Sequence, residues 1–240
     1  AHLHIYDINK TNVIGAYTER NNRKDGELGT ELVHGDKIVV EYFEPKSVKF
    51  HGNFRISNVI HGYRSLNSIQ HSLAKGLNSS GNCNIDVNCP LGVGWDNEIR
   101  SVAMIVVNGN GICTGALINN TCSDGTPYFL TADHCLGGST GSWAFRFNWE
   151  SPPGTESCAT TAGSTDPGPP YDQTANGATI LTNSSASDYA LLEINNMTLS
   201  DAQAWNCFFA GWDASDLTTV TEATGIHHPS GDVKKICREN

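Results

Sequence analysis

The sequence predicts an all-β chain in two parts, a small β-rich module followed by a larger domain that carries disulfides. Three observations lead there. Charged residues are only 17% of the chain while glycine occurs 24 times, which suits short strands joined by turns. Apolar, β-branched runs of strand length recur between turn signals. The composition also shifts near Lys75: every Cys and every Trp follows it, most Lys and Arg lie at or before it, and no Lys stands between Gly76 and Val233.

The first part, residues 1–66, holds three strand-like runs. They are His2-Leu3-His4-Ile5-Tyr6-Asp7-Ile8, then Asp36-Lys37-Ile38-Val39-Val40-Glu41-Tyr42-Phe43, then Phe54-Arg55-Ile56-Ser57-Asn58-Val59-Ile60. A turn at His34-Gly35-Asp36 opens the second run and Glu44-Pro45 closes it. His2 and His4 share one strand face, but no carboxylate or Cys stands near with metal spacing, so a solvated strand end is expected. Residues 67–82 read as a polar linker, and a short helix fits Ile69–Leu73.

The second part opens on the strand-like run Ile99–Val107. Asn108-Gly109-Asn110-Gly111 is a strong hairpin turn, and the run Ile112–Asn120 returns from it. A further apolar strand, Tyr128-Phe129-Leu130-Thr131-Ala132, runs into Asp133-His134-Cys135. Later, Asp188 opens the apolar run Tyr189-Ala190-Leu191-Leu192-Glu193-Ile194, and a last strand is expected at Val233–Cys237.

Composition excludes several functions. A net charge of −10 with no basic block is a poor match to nucleic acid, which needs clustered cations. No stretch is long and apolar enough to span a bilayer. The 8 cysteines are dispersed with no C-x-x-C pair, which argues against zinc and for disulfides made in an extracellular or periplasmic compartment. No metal or cofactor is expected.

Cys113-Thr114-Gly115-Ala116-Leu117-Ile118 followed by Leu130-Thr131-Ala132-Asp133-His134-Cys135 resembles the paired motifs of chymotrypsin-like serine proteases. The resemblance implies a double β-barrel, with a first barrel over 83–195 and an incomplete second barrel over 196–240. It makes His134 the general base and Cys113–Cys135 a disulfide beside it. Asp188-Tyr189-Ala190-Leu191-Leu192 is similar to the segment that supplies the triad carboxylate, so Asp188 would orient His134. Ala210-Gly211-Trp212-Asp213 resembles the opening of the second barrel.

Within that family the sequence is most similar to bacterial lysyl endopeptidase precursors. The residues that carry this are Ser80-Gly81-Asn82-Cys83-Asn84-Ile85-Asp86-Val87, Ile226-His227-His228-Pro229 and, in the first module, Gly35-Asp36 and His61-Gly62-Tyr63-Arg64. The resemblance implies a Cys89–Cys158 bridge and suggests Cys207–Cys237. It would pair Cys83 with a Cys further on, and it assigns Cys122 no partner. His227 and His228 read as a structured loop.

The family's nucleophile sits in a Gly-x-Ser-Gly-type motif, and these 240 residues contain none. Ser79-Ser80-Gly81 and Ser139-Thr140-Gly141-Ser142 read as loops. The expectation is a secreted zymogen acting on polypeptides after Lys or Arg, whose Ser comes from a further C-terminal segment, so that the 240 residues alone are inactive. The Lys-free span suits a protease that must survive its own specificity. Processing is expected at Lys75-Gly76, in the polar linker. The competing class is an inactive protease-like scaffold used for binding or adhesion, which has no need of both His134 and Asp188.

Overall fold

The computed structural model describes residues 1–22, 24, 26–33, 35–49, 51–59, 77–81, 83–107, 111–158, 163–168, 172–215 and 221–239. Strands dominate them, and the ladders between strands are antiparallel, with one isolated parallel bridge between Ile118 and Ala210.

In the N-terminal part, β1 (His2–Asp7), β2 (Val13–Tyr17) and β3 (Ile38–Phe43) form a sheet in the order β2-β1-β3. The β1–β2 turn is built by Asp7. Its carboxylate accepts from the backbone N–H of Asn9 at 3.0 Å and of Asn12 at 2.6 Å, and from the Thr11 hydroxyl at 3.0 Å. Backbone donors on a short acidic side chain stabilise a tight turn. The third expected strand does not form: residues 54–59 have no ladder partners and are exposed, and Phe54 lies against the Tyr42 ring at 5.4 Å. The edge of β3 is free among the described residues, but Phe54, Ile56 and Val59 stay exposed with no core face to bury against, so pairing there would gain little. Ile60, the short helix at 69–73, the Lys75-Gly76 bond and the turn residues 108–110 lie outside the described residues.

After the two-residue β4 (Ile85–Asp86), the chain forms helix α1 (Asp96–Ser101) rather than the expected start of a strand at Ile99. Asp96 and Glu98 suit the first turn of a helix, and Ile99 is buried against Val87 and Ile236. Seven strands follow: β5 (Val102–Val107), β6 (Gly111–Ile118), β7 (Tyr128–Thr131), β8 (Ala144–Phe147), β9 (Thr174–Asn176), β10 (Ala178–Ser184) and β11 (Tyr189–Ile194). Their order in the sheet is β10-β11-β7-β6-β5-β8-β9.

The two edge strands, β9 and β10, are separated in the chain by Gly177 alone, whose φ of 68° is in the left-handed region. One residue cannot cross a flat seven-stranded sheet, so the sheet curls into a half-barrel that brings its edges together. Phe129, Phe145, Trp143, Leu117, Leu192 and Ile105 fill the inside, each fully buried. Gly115 has a packing reason. A Cβ there would lie 2.3 Å from the Phe129 ring and 2.5 Å from the Leu130 carbonyl oxygen.

Beyond the half-barrel, helix α2 (Leu199–Ala204) is closed by a capping box of Thr198 and Asp201. Strands β12 (Ala223–His227) and β13 (Lys235–Glu239) then pair with β4 in the order β12-β13-β4. Lys235 is buried beside Asp86 and Ser164, and Lys234 donates to the Ile99 carbonyl at 2.8 Å. Among the described residues, no helix is long and apolar enough to cross a membrane.

Candidate active site

The end of β7 delivers the candidate base. Thr131 is buried and its hydroxyl donates to the Thr114 carbonyl on β6 at 2.8 Å. The chain then leaves the sheet at Ala132 and makes a single 3-10 turn, Asp133–Cys135. Cys135 turns inward, is buried in the main core and is bridged to Cys113 of β6. His134 therefore points the other way, with its side chain 70% exposed. The covalent bond one residue away and the strand before it fix where the imidazole stands.

The register of the neighbouring strand brings up the carboxylate. Ala190 pairs with Thr131 in the β11–β7 ladder, so Asp188, two residues before it, comes opposite the turn that holds His134. Asp188 closes the β10–β11 connection with φ 49°, a conformation that Asp and Asn tolerate better than most residues. Its Oδ2 lies 2.8 Å from His134 Nδ1, and its Oδ1 accepts the His134 backbone N–H at 2.9 Å. From β10, Asn183 donates to Asp133 at 2.6 Å and ties the same turn from a second side.

Electrostatics follow from those contacts. The His134 backbone N–H, and then its imidazole, hold the Asp188 carboxyl below the usual carboxylate range. An ionised carboxylate only accepts, so Nδ1 carries the proton of the neutral ring and Nε2 keeps the lone pair. Nε2 has no hydrogen-bond partner among the described residues. The arrangement is a proton acceptor of fixed tautomer, open to solvent.

Among the described residues, no nucleophile stands against it. Among the described residues no serine hydroxyl is bonded to His134. The Ser80 hydroxyl donates to Asp232 at 2.5 Å, that of Ser139 to Glu27 at 2.5 Å, and that of Ser142 to the Ser139 carbonyl at 2.9 Å. Metal binding is also a poor use of the site. Ligand atoms of Cys113, His134 and Cys135 lie within 4.8 Å of one another, but both sulfurs belong to the disulfide and are not thiolates.

Of the other cysteines, Cys89 and Cys158 are bridged as the resemblance implied. Cys207 and Cys237 are not, which corrects that pairing. Cys207 packs against the half-barrel core, where burial pushes its thiol up to about 12. Cys237 is exposed on β13, a strand of a different sheet. Cys83 and Cys122 are free and exposed. His2 and His4 lie edge to face on β1, with His2 stacked on Phe43. His227 ends β12, and His228 is buried against Trp149, its Nδ1 3.0 Å from the Asp232 carbonyl oxygen.

Two features carried no signal in the sequence. Asp232 is fully buried and collects the backbone N–H groups of Asn78, Ser80 and Val233. Glu31, in the N-terminal part, forms a buried ion pair with Arg146 of β8. Both join residues more than 100 positions apart through single side chains, with no local motif around them.

The family model described as "Lysyl endopeptidase, C-terminal domain" matches residues 77–240. Lysyl endopeptidase of Pseudomonas aeruginosa is 27% identical over 217 residues, which cover 87% of this chain and 45% of that protein. The chain thus spans less than half the length of this curated relative.

Proposed function

Because the chain belongs to the lysyl endopeptidase C-terminal domain family, we propose that it is part of the precursor of a secreted serine endopeptidase that cleaves polypeptides after Lys. The observation that carries the reading is the two-point contact of Asp188 with His134, set beside the Cys113–Cys135 bridge. In this reading His134 Nε2 takes the proton of a serine hydroxyl as that oxygen attacks the scissile carbonyl, then returns it to the leaving amine. Asp188 holds the ring tautomer and stabilises the imidazolium. The serine, the oxyanion donors and the pocket for the lysine side chain would come from a further segment of the same protein, completing a second barrel beyond the half-barrel.

Residues 1–66 are proposed as the pro-module and 67–82 as the linker cut at Lys75-Gly76. The buried Asp232 supports this, because it anchors Asn78 and Ser80 just past the expected cut. The disulfides support an oxidising compartment. The test is a peptide-library digest by the longer protein, with His134→Ala as control. Cleavage after Lys that vanishes in the variant is expected. Cleavage with no preference for Lys, or undiminished in the variant, would overturn the proposal.

A further inference from the structure

The N-terminal part touches the half-barrel through a short acidic segment, Glu27-Leu28-Gly29-Thr30-Glu31. Glu31 is the centre of the contact. Its side chain is 2% exposed and that of Arg146 is 5% exposed. The guanidinium engages both carboxylate oxygens: Nε donates to Oε1 at 3.2 Å, and Nη2 donates to Oε2. Thr174 of β9 donates its hydroxyl to Oε1 at 3.2 Å, and the Leu32 backbone N–H donates to Oε2 at 3.3 Å. Arg146 also lies over the Trp149 ring, 5.2 Å from its centroid.

Gly29 is read through its backbone and Glu27 through its carboxylate. Asn176, buried on β9, donates to the Gly29 carbonyl at 2.8 Å. Gly29 presses on the backbone of Ser142, so closely that a Cβ would lie 2.2 Å from that carbonyl oxygen. Ser139, in the loop that follows Cys135, donates to Glu27 at 2.5 Å. The N-terminal sheet shares no strand with the half-barrel.

We propose that Arg146, with Thr174, Asn176 and the Ser142 backbone, forms a peptide-binding site for an extended Glu-x-Gly-x-Glu segment, and that residues 27–31 are its ligand in cis. A planar guanidinium gripping a carboxylate in two places reads that group with defined geometry. The glycine is required by the close backbone approach, and the first Glu binds at the solvent rim. The site holds the N-terminal module to the half-barrel after the chain between them is cut. This rests on the reading that the module is removed by cleavage, but the assay reads binding and is independent of proteolytic activity.

The full chain is prepared with a site-specific protease sequence inserted after Leu66, cut, and followed by gel filtration. The wild-type N-terminal fragment should stay bound. A synthetic peptide of residues 26–33 should displace it, and the same peptide with Gln in place of Glu31 should not. Glu31→Gln, which leaves a buried guanidinium without its charge partner, should weaken retention by about a hundred-fold. Gly29→Ala should weaken it through an unrelated contact. Correct folding of each variant is checked by the masses of the Cys89–Cys158 and Cys113–Cys135 peptides. Retention unchanged in Glu31→Gln, no effect of the wild-type peptide, or immediate loss of the wild-type fragment would overturn the proposal.

Discussion

Asp188 holds His134 at two points, one on the ring and one on the backbone, at 2.8 and 2.9 Å. The backbone contact sets where the turn stands and the ring contact sets which nitrogen carries the proton.

Asp188→Asn separates these two effects. Asn also tolerates the positive φ of 49° at this position, so the turn should survive. Its amide nitrogen can only donate, which favours the wrong imidazole tautomer. In the proposed full-length protein that supplies the serine, we predict a fall in kcat of about 10⁴-fold with little change in KM. A variant with near-normal kcat would show that the carboxylate has no part in the chemistry.

Lysines divide sharply by location. Lys10, Lys24, Lys37, Lys46 and Lys49 are all exposed, whereas Lys234 and Lys235 are buried at 0% and 1%. Proteolysis needs an accessible, locally opened backbone. Limited digestion of the native 240-residue chain with a lysine-specific protease should therefore cut within the N-terminal part and spare the Lys234-Lys235 bonds. Equal cutting rates at both regions, read by mass spectrometry, would contradict the burial.

Cysteine chemistry should show three classes. Brief native alkylation should label Cys83, Cys122 and Cys237, which are exposed, and leave the four bridged cysteines untouched. Cys207 should label only slowly, because burial raises its thiol and so depletes the reactive thiolate. Rapid labelling of Cys207, or a Cys207–Cys237 peptide under non-reducing conditions, would count against the packing described.

Stability should fall on mild acidification. Burial, and then the nearby Lys234 charge, push His228 well below its ordinary value, and burial lowers His227 in the same direction. The unfolded chain takes up these protons first, near pH 6.5. The stabilising difference is therefore complete above about pH 6.5 and is lost as pH falls towards the folded values. Urea midpoints should drop between pH 8 and pH 5. His228→Asn keeps a donor for the Asp232 carbonyl but does not titrate, and it should flatten the drop. An unaltered pH slope in that variant would remove His228 from the account.

The candidate site was more legible in the sequence than the fold around it. The Cys113–Ile118 motif lies on β6 and the His134 motif follows the end of β7, neighbouring strands in which Leu117 and Phe129 face one core and Gly115 makes room for the Phe129 ring. Asp188 is legible only through the resemblance of Asp188-Tyr189-Ala190-Leu191-Leu192, because a polar residue that opens an apolar strand carries no signal of a role by itself. Strands β2, β4, β8, β9, β10 and β12 have no counterpart among the expected runs. β9 is only three residues long, and β10 runs Ala-Thr-Ile-Leu-Thr-Asn-Ser, largely exposed, with its place set by pairing to β11. The run from Ile99 to Val107 was misjudged at its start because tertiary burial of Ile99 and an acidic first turn favour a helix there. The Cys207–Cys237 pairing failed because sequence shows neither which sheet nor which core a cysteine faces.

The proposed role of His134, base of a lysine-directed serine protease, can be read at a single atom. The proposed full-length protein that supplies the serine is treated with a lysyl chloromethyl ketone, followed by peptide mapping. The account predicts alkylation of His134 at Nε2, with no other histidine modified and with the reaction suppressed in Asp188→Asn. An adduct on a different histidine, or full-rate alkylation in the variant, would contradict it.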